Sequence, residues 1–156
     1  MKKFMLLLLT ISLVFYQPTT ASAAVSTNTT IVKVFEDGSY METVIEKTTT
    51  SLSARSTTST VSGKKTNTYR NSEGSALWTL TVTGTFTYNG SSATCTKSTV
   101  SATSYNSNWR ISSSSASKLG ATAKATATAK KYSNRICIKS MTQSISLTCS
   151  KNGTLS

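Results

Sequence analysis

A chain of 156 residues has room for one domain; this one carries 17 Lys and Arg against 5 Asp and Glu, a formal net charge of +12, and no His. The missing His removes imidazole triads, imidazole metal ligands and imidazole proton shuttles, and five carboxylates leave few general acids or bases. No catalytic residue, metal site or cofactor is therefore expected, and the protein reads as not an enzyme.

The N-terminus has the order of an export leader. Lys2 and Lys3 precede an almost unbroken apolar run over residues 4–16, and the small-residue site Ala21-Ser22-Ala23 follows. Residues 1–23 read as a secretory signal peptide cleaved after Ala23, which places the protein outside the cell. The run is too short to cross a hydrocarbon layer of roughly 30 Å, and no other segment is apolar enough for a transmembrane role.

Past the leader, Ser and Thr set the character of the chain. Such a bias fits either a disordered stalk or a β protein with a Thr-coated face, and periodicity separates the two. Residues 24–47 form an N-terminal β-hairpin about Asp37-Gly38, with Phe35 opposite Tyr40, Val34 opposite Met41, Lys33 opposite Glu42 and Val32 opposite Thr43. Residues 48–63 are mostly Ser and Thr without clear period and read as a loop or linker, with room for a short edge strand. Residues 64–156 form a basic β-sandwich domain. A short strand over 66–70 leads into the turn Asn71-Ser72-Glu73-Gly74.

From Trp78 the even positions are Trp78, Leu80, Val82, Gly84, Phe86 and Tyr88, while Thr79, Thr81, Thr83, Thr85 and Thr87 fill the odd ones. This strict alternation is that of a half-buried strand, and a stalk has no reason to alternate. Asn89-Gly90 closes a hairpin in which Tyr88 faces Ser91, Phe86 faces Ala93 and Gly84 faces Cys95. Alternating Ala121, Ala123, Ala125, Ala127 and Ala129 give a strand with a small-residue inner face, against a competing helix. A last strand runs to Cys149, with a bulge near residues 139–143 to bring Ile136 and Ile138 into phase with Ile145 and Leu147. Seven to eight strands make an all-β, antiparallel sandwich of immunoglobulin-like architecture.

Three cysteines in an exported chain imply one disulfide and one leftover thiol. Cys95 and Cys149 lie on the apolar phase of their strands and are the preferred pair, with Trp109 placed to pack on the bridge. Cys137 remains free, either as a buried thiol or as a site of intermolecular pairing. The oligomeric state is open.

Charge is unevenly divided. Glu36, Asp37, Glu42 and Glu46 precede Ser62, and Glu73 is the only carboxylate after it. The basic part attracts anionic surfaces, and Lys64, Lys65, Lys124, Lys130, Lys131, Arg135 and Lys139 are its candidate contacts. Those cations sit among Ala, Ser and Thr without interleaved aromatics, which favours an anionic cell-wall polymer or glycan over nucleic acid. Tyr40, Tyr69, Trp78, Tyr88, Tyr105 and Trp109 offer either a sugar-stacking platform or, the preferred reading, core and cross-strand pairs. A second class of function is a secreted bacteriocin-like or toxin-like effector acting on other cells.

Several blocks resemble a group of small secreted proteins from Gram-positive, clostridial-type bacteria. They are Glu36-Asp-Gly-Ser-Tyr, the stretch from Leu77 to Gly90, Ser104-Tyr-Asn-Ser-Asn-Trp, and Leu147-Thr-Cys with the terminal Asn152-Gly-Thr-Leu-Ser. The resemblance implies export and a β fold, and it carries no functional residue.

Overall fold

The computed structural model describes residues 25–50 and 58–156. The leader, residues 1–23, lies outside the described residues, as do residue 24 and residues 51–57 of the expected linker. Eight strands, with no helix among the described residues, make up the chain: β1 (Val25–Val34), β2 (Tyr40–Thr50), β3 (Ser59–Arg70), β4 (Ala76–Tyr88), β5 (Ala93–Ser104), β6 (Trp109–Leu119), β7 (Thr122–Ser133) and β8 (Ile136–Thr148). They form two antiparallel sheets, A with the order β1-β2-β3-β4-β5 and B with the order β6-β7-β8. The protein is a β-sandwich. Its likeness to an immunoglobulin domain lies in the two packed layers, since within each sheet every strand pairs with its neighbours in sequence and no Greek key occurs among the described strands.

Alternation builds the core as the sequence implies. On β4, Trp78, Leu80, Val82, Gly84 and Phe86 are buried while the Thr residues between them face outward. On β7, Ala123, Ala125, Ala127 and Ala129 are all buried. Small side chains there let the sheets approach closely. A Cβ added to Gly84 would lie 2.5 Å from Cζ of Phe86 and 3.0 Å from Cβ of Ala123. The outward hydroxyls bond across strands: Thr66 to Thr81 at 2.9 Å, Ser62 to Thr85 at 3.1 Å, Thr126 to Ser144 at 2.8 Å and Thr128 to Thr142 at 2.9 Å. The Ser/Thr excess is thus the outer skin of both sheets.

The linker is shorter than its composition implied. β2 continues to Thr50 and β3 starts at Ser59, with Thr48 opposite Ser62 and Thr50 opposite Thr60. Thr favours extended backbone, so a Thr run beside a partner strand prolongs the ladder. β2 pairs with β3 over its whole length, and the N-terminal hairpin therefore widens sheet A.

The expected hairpin registers need correction. The first turn has three loop residues, Glu36, Asp37 and Gly38, with the Phe35 N–H donating to Ser39 O at 2.8 Å. The same construction recurs at Asn71–Ser75 and Ser150–Thr154, and in each the third loop residue is a glycine at positive φ (Gly38 75°, Gly74 86°, Gly153 78°). The longer loop puts Val34 opposite Tyr40 and Lys33 opposite Met41, and a bulge at Val32 puts Ile31 opposite Glu42. The expected Lys33–Glu42 pair does not form. Glu42 accepts from Arg70 Nε at 2.7 Å, and the Lys33 ammonium sits 4.9 Å from the centre of the Phe35 ring.

The Asn89 hairpin shifts in the same way. Asn89 Oδ1 accepts from the N–H groups of Ser91 (3.0 Å) and Ser92 (2.9 Å), and the strands pair from Tyr88 opposite Ala93. Phe86 then faces Cys95, and after a bulge Gly84 faces Ser98. The bulge expected in β8 falls slightly earlier, at Ile138, between the pairs Lys131–Lys139 and Tyr132–Cys137.

Candidate anion-binding cleft

Sheet B and its turns contain no carboxylate. Between Trp109 and Thr148 the seven ionisable cations are Arg110, Lys118, Lys124, Lys130, Lys131, Arg135 and Lys139. Period two sorts those on the strands. Lys124 and Lys130 share the outward face of β7 with Thr126 and Thr128, and the register sets Arg110 of β6 opposite Lys130. Lys131 falls on the other phase, between Trp109 and Lys139. Lys64 and Lys65 lie on β3 in sheet A, on opposite faces of the strand, Lys64 opposite Glu46 and Lys65 opposite Ile45. The seven expected contacts therefore do not make one patch.

Lys139 is engaged within the protein. Its ammonium lies 3.4 Å from the Tyr69 hydroxyl and 3.5 Å from Asp37 Oδ2. The Tyr69 hydroxyl also shares a 2.8 Å hydrogen bond with the Ser39 hydroxyl, which donates in turn to Asp37 Oδ1. Tyr69 is 2% exposed and stacks edge-on against Phe35 and Trp109. The cluster pins the β1–β2 turn to β8 and joins the two sheets. Hydrogen bonds from the Ser39 hydroxyl and N–H hold the Asp37 carboxyl below its usual value. Burial works against charge on Lys139, but Tyr69 and Asp37 outweigh it and hold its pKa above the usual one.

The signs follow from linkage. Asp37 adds stability above its unfolded pKa, lost as pH falls through the lowered folded value. Lys139 adds stability below its unfolded pKa, lost as pH rises through the raised folded value. Both groups are well exposed, so the effect is small. Denaturant titrations across the acid range should show a shallower loss of stability in Asp37→Asn than in the natural chain; identical acid limbs would mean that the contact contributes nothing.

At the same end of sheet B, the loop between β5 and β6 and the turn between β7 and β8 enclose a cleft of about 440 Å³. It is lined by Ser107, Asn108, Arg110, Tyr132, Asn134 and Arg135. The loop is held by the Tyr132 N–H donating to Asn108 O at 2.7 Å, and the Asn108 N–H bonds Asn106 Oδ1 at 2.9 Å. The Arg110 guanidinium sits over the Tyr132 ring, 5.5 Å from its centre. Asn134 (φ 48°) and Arg135 (φ 68°) are the two central residues of the turn, both in the left-handed region. Asn tolerates this conformation, but the second position favours Gly, and Arg there costs on the order of 1 kcal/mol. Among the described residues no carboxylate pairs with Arg110 or Arg135.

Arg135 was legible as a candidate; Arg110 was not. It lies far upstream in sequence, and only the β6–β7 register brings it to the same end of the sheet. The local signal was a cation two residues after the Asn-rich loop Asn106-Ser107-Asn108, beyond Trp109.

The aromatic residues fill the core more than they line the surface. Trp78 (1%), Tyr69 (2%) and Trp109 (3%) are buried, Tyr40 and Tyr88 are half-buried, and Tyr105 is exposed. Trp109 does not pack at Cys95 and Cys149. It starts β6, whereas both cysteines sit at the turn that ends β6, their N–H groups donating to Gly120 O (2.7 Å) and Ala121 O (3.0 Å). The burial expected for Cys137 is also overturned. The thiol is exposed between exposed Ile136 and Ile138, because the bulge at Ile138 lies near the β7–β8 turn. All three thiols are unpaired here, and Cys95 and Cys149 are buried. Among the described residues no group of three or more His, Cys, Asp or Glu is placed to hold a metal, and no helix is long and apolar enough to cross a membrane.

No protein-family model, curated protein or solved structure matches the chain.

Proposed function

We propose that the protein is an exported, non-enzymatic binding module that associates with an anionic polymer of a cell envelope or extracellular surface. The observation that carries this reading is the carboxylate-free sheet B, with Lys124, Lys130 and Arg110 on its outward face and Arg135 at its end. Opposing charge elsewhere in the chain is concentrated in β2 and the β1–β2 turn of sheet A, so little of it neutralises sheet B. The leader sequence and the resemblance to small secreted bacterial proteins support export. An exposed cationic face acts through long-range attraction that salt screens over about 8–10 Å at physiological strength.

The test is retention of the leader-free chain on isolated cell walls and on an anionic polysaccharide resin. Retention is expected to fall steeply between low and physiological salt, and to fall further in Lys124→Glu/Lys130→Glu. Retention that ignores salt and both substitutions would remove the proposal.

Export also exposes the thiols to disulfide-forming conditions. We propose that Cys95 and Cys149 then join as a bridge between sheets. Adjacent carbonyls of one turn hold both backbones, and both thiols lie in the core. Burial raises both pKa values, and the nearby Cys95 raises that of Cys149 further.

A further inference from the structure

We propose that the cleft between the β5–β6 loop and the β7–β8 turn is a specific site for an anionic sugar unit, whose carboxylate or phosphate is gripped by Arg110 and Arg135. The assignment rests on the proposed function for the class of polymer and goes beyond it by naming a site and a ligand chemistry. Two guanidiniums line one cavity, and among the described residues neither has a carboxylate partner. Like charges brought to one cleft repel, and an entering oxyanion relieves that repulsion. Guanidinium forks match the oxygens of a carboxylate or phosphate in a way that a lysine ammonium does not.

The site is held in place before any ligand arrives. The Arg110 guanidinium lies over the Tyr132 ring, 5.5 Å from its centre, a cation–ring contact that holds it in the cleft. The Tyr132 N–H fixes the opposite wall through Asn108 O. Arg135 occupies a left-handed turn position that Gly fills without strain. Backbone strain of this kind persists at sites where a side chain is needed.

The remaining lining selects a sugar. Asn108, Asn134 and Ser107 supply amide and hydroxyl groups of the kind that bond sugar hydroxyls. At about 440 Å³ the cavity falls within the usual size range of small-ligand sites. A nucleic-acid base finds no free stacking surface, because Arg110 already covers the one aromatic ring in the cleft.

Calorimetric titration of the leader-free chain at physiological salt tests the site. The probes are an oligogalacturonate, a glycerol-phosphate oligomer, a neutral oligosaccharide of similar length and a short single-stranded DNA. Saturable binding is expected for at least one of the first two, and which one binds identifies the anionic group. Arg110→Gln and Arg135→Gln should each weaken it about tenfold, as loss of a charged hydrogen-bonding partner does, while Lys97→Gln, at an exposed position of β5 in sheet A, leaves it within about twofold. Arg135→Gly, which relieves the turn and so keeps the fold, should weaken it as much as Arg135→Gln. Absence of binding by both anionic oligosaccharides, insensitivity to the arginines, an equal loss in Lys97→Gln, or equal affinity for DNA would each overturn the assignment. If Arg110→Gln/Arg135→Gln keeps both its salt-sensitive retention on cell walls and its full affinity for the oligosaccharide, the cleft assignment falls and the broader surface reading stands.

Discussion

If the proposed Cys95–Cys149 bridge forms, reduction of the oxidised, leader-free chain should lower its unfolding free energy by about 4 kcal/mol, the loop-closure value for a crosslink joining residues so far apart. The two cysteines end different sheets, and nothing covalent between them shortens the path except a bridge at the β6–β7 turn. For a domain of this size such a change lowers the melting temperature by roughly 10–20 °C. Cys149→Ser should reproduce the reduced state without reductant, and Cys137→Ser should leave the melting temperature unchanged. Equal melting temperatures for oxidised and reduced protein, with free thiol still titrating at both core positions, would dismiss the bridge.

Gly84→Val should be the most damaging small substitution in β4, at about 3 kcal/mol, the upper part of the range for overpacking. The position is buried, and the added Cβ would meet the Phe86 ring and Ala123 across the sandwich. Phe86 is fully buried and has no open side to move into. Phe86→Leu removes the ring atoms that clash, so Gly84→Val/Phe86→Leu should cost less than the sum of the two single changes. Denaturant unfolding of the four proteins in this cycle measures the coupling, and strict additivity would show that the ring is not the obstacle.

The layered β fold was readable because two strands state their period almost without error. The Thr run between Trp78 and Tyr88, and the Ala run after Gly120, each leave one face that water accepts and one that it does not. Register was harder to read. A glycine after Asp or Asn signals a turn, but the same dipeptide closes a loop of two or of three residues, and Asp37-Gly38 takes the longer form. Bulges at Val32, Thr96 and Ile138 each displace the pairing by one residue; the change of apolar phase along β8 announced the last within a few residues, and nothing local announced the first two.

The same limit applied to the site. Cations near one another in sequence were separated by strand faces, as Lys64 and Lys65 were, or were drawn to an internal carboxylate, as Lys139 was. Arg110 and Arg135 come together only through pairing distant in sequence. Of the two readings of Cys137, a buried thiol or a site of intermolecular pairing, burial falls, because a single extra residue near a hairpin end leaves it in solvent.

The meander order of the strands bears on how such a chain assembles. Within each sheet a new strand finds its partner immediately behind it, so a polypeptide appearing N-terminus first can zip up hairpin by hairpin without threading or waiting for a remote segment. Only the passage from β5 to β6 changes layers. The closing event belongs to the last few residues: Leu155 pairs back against Cys149 and comes over Gly63, where a side chain of any size would collide with it. Leu155 thus acts as a latch that closes the sandwich over Gly63.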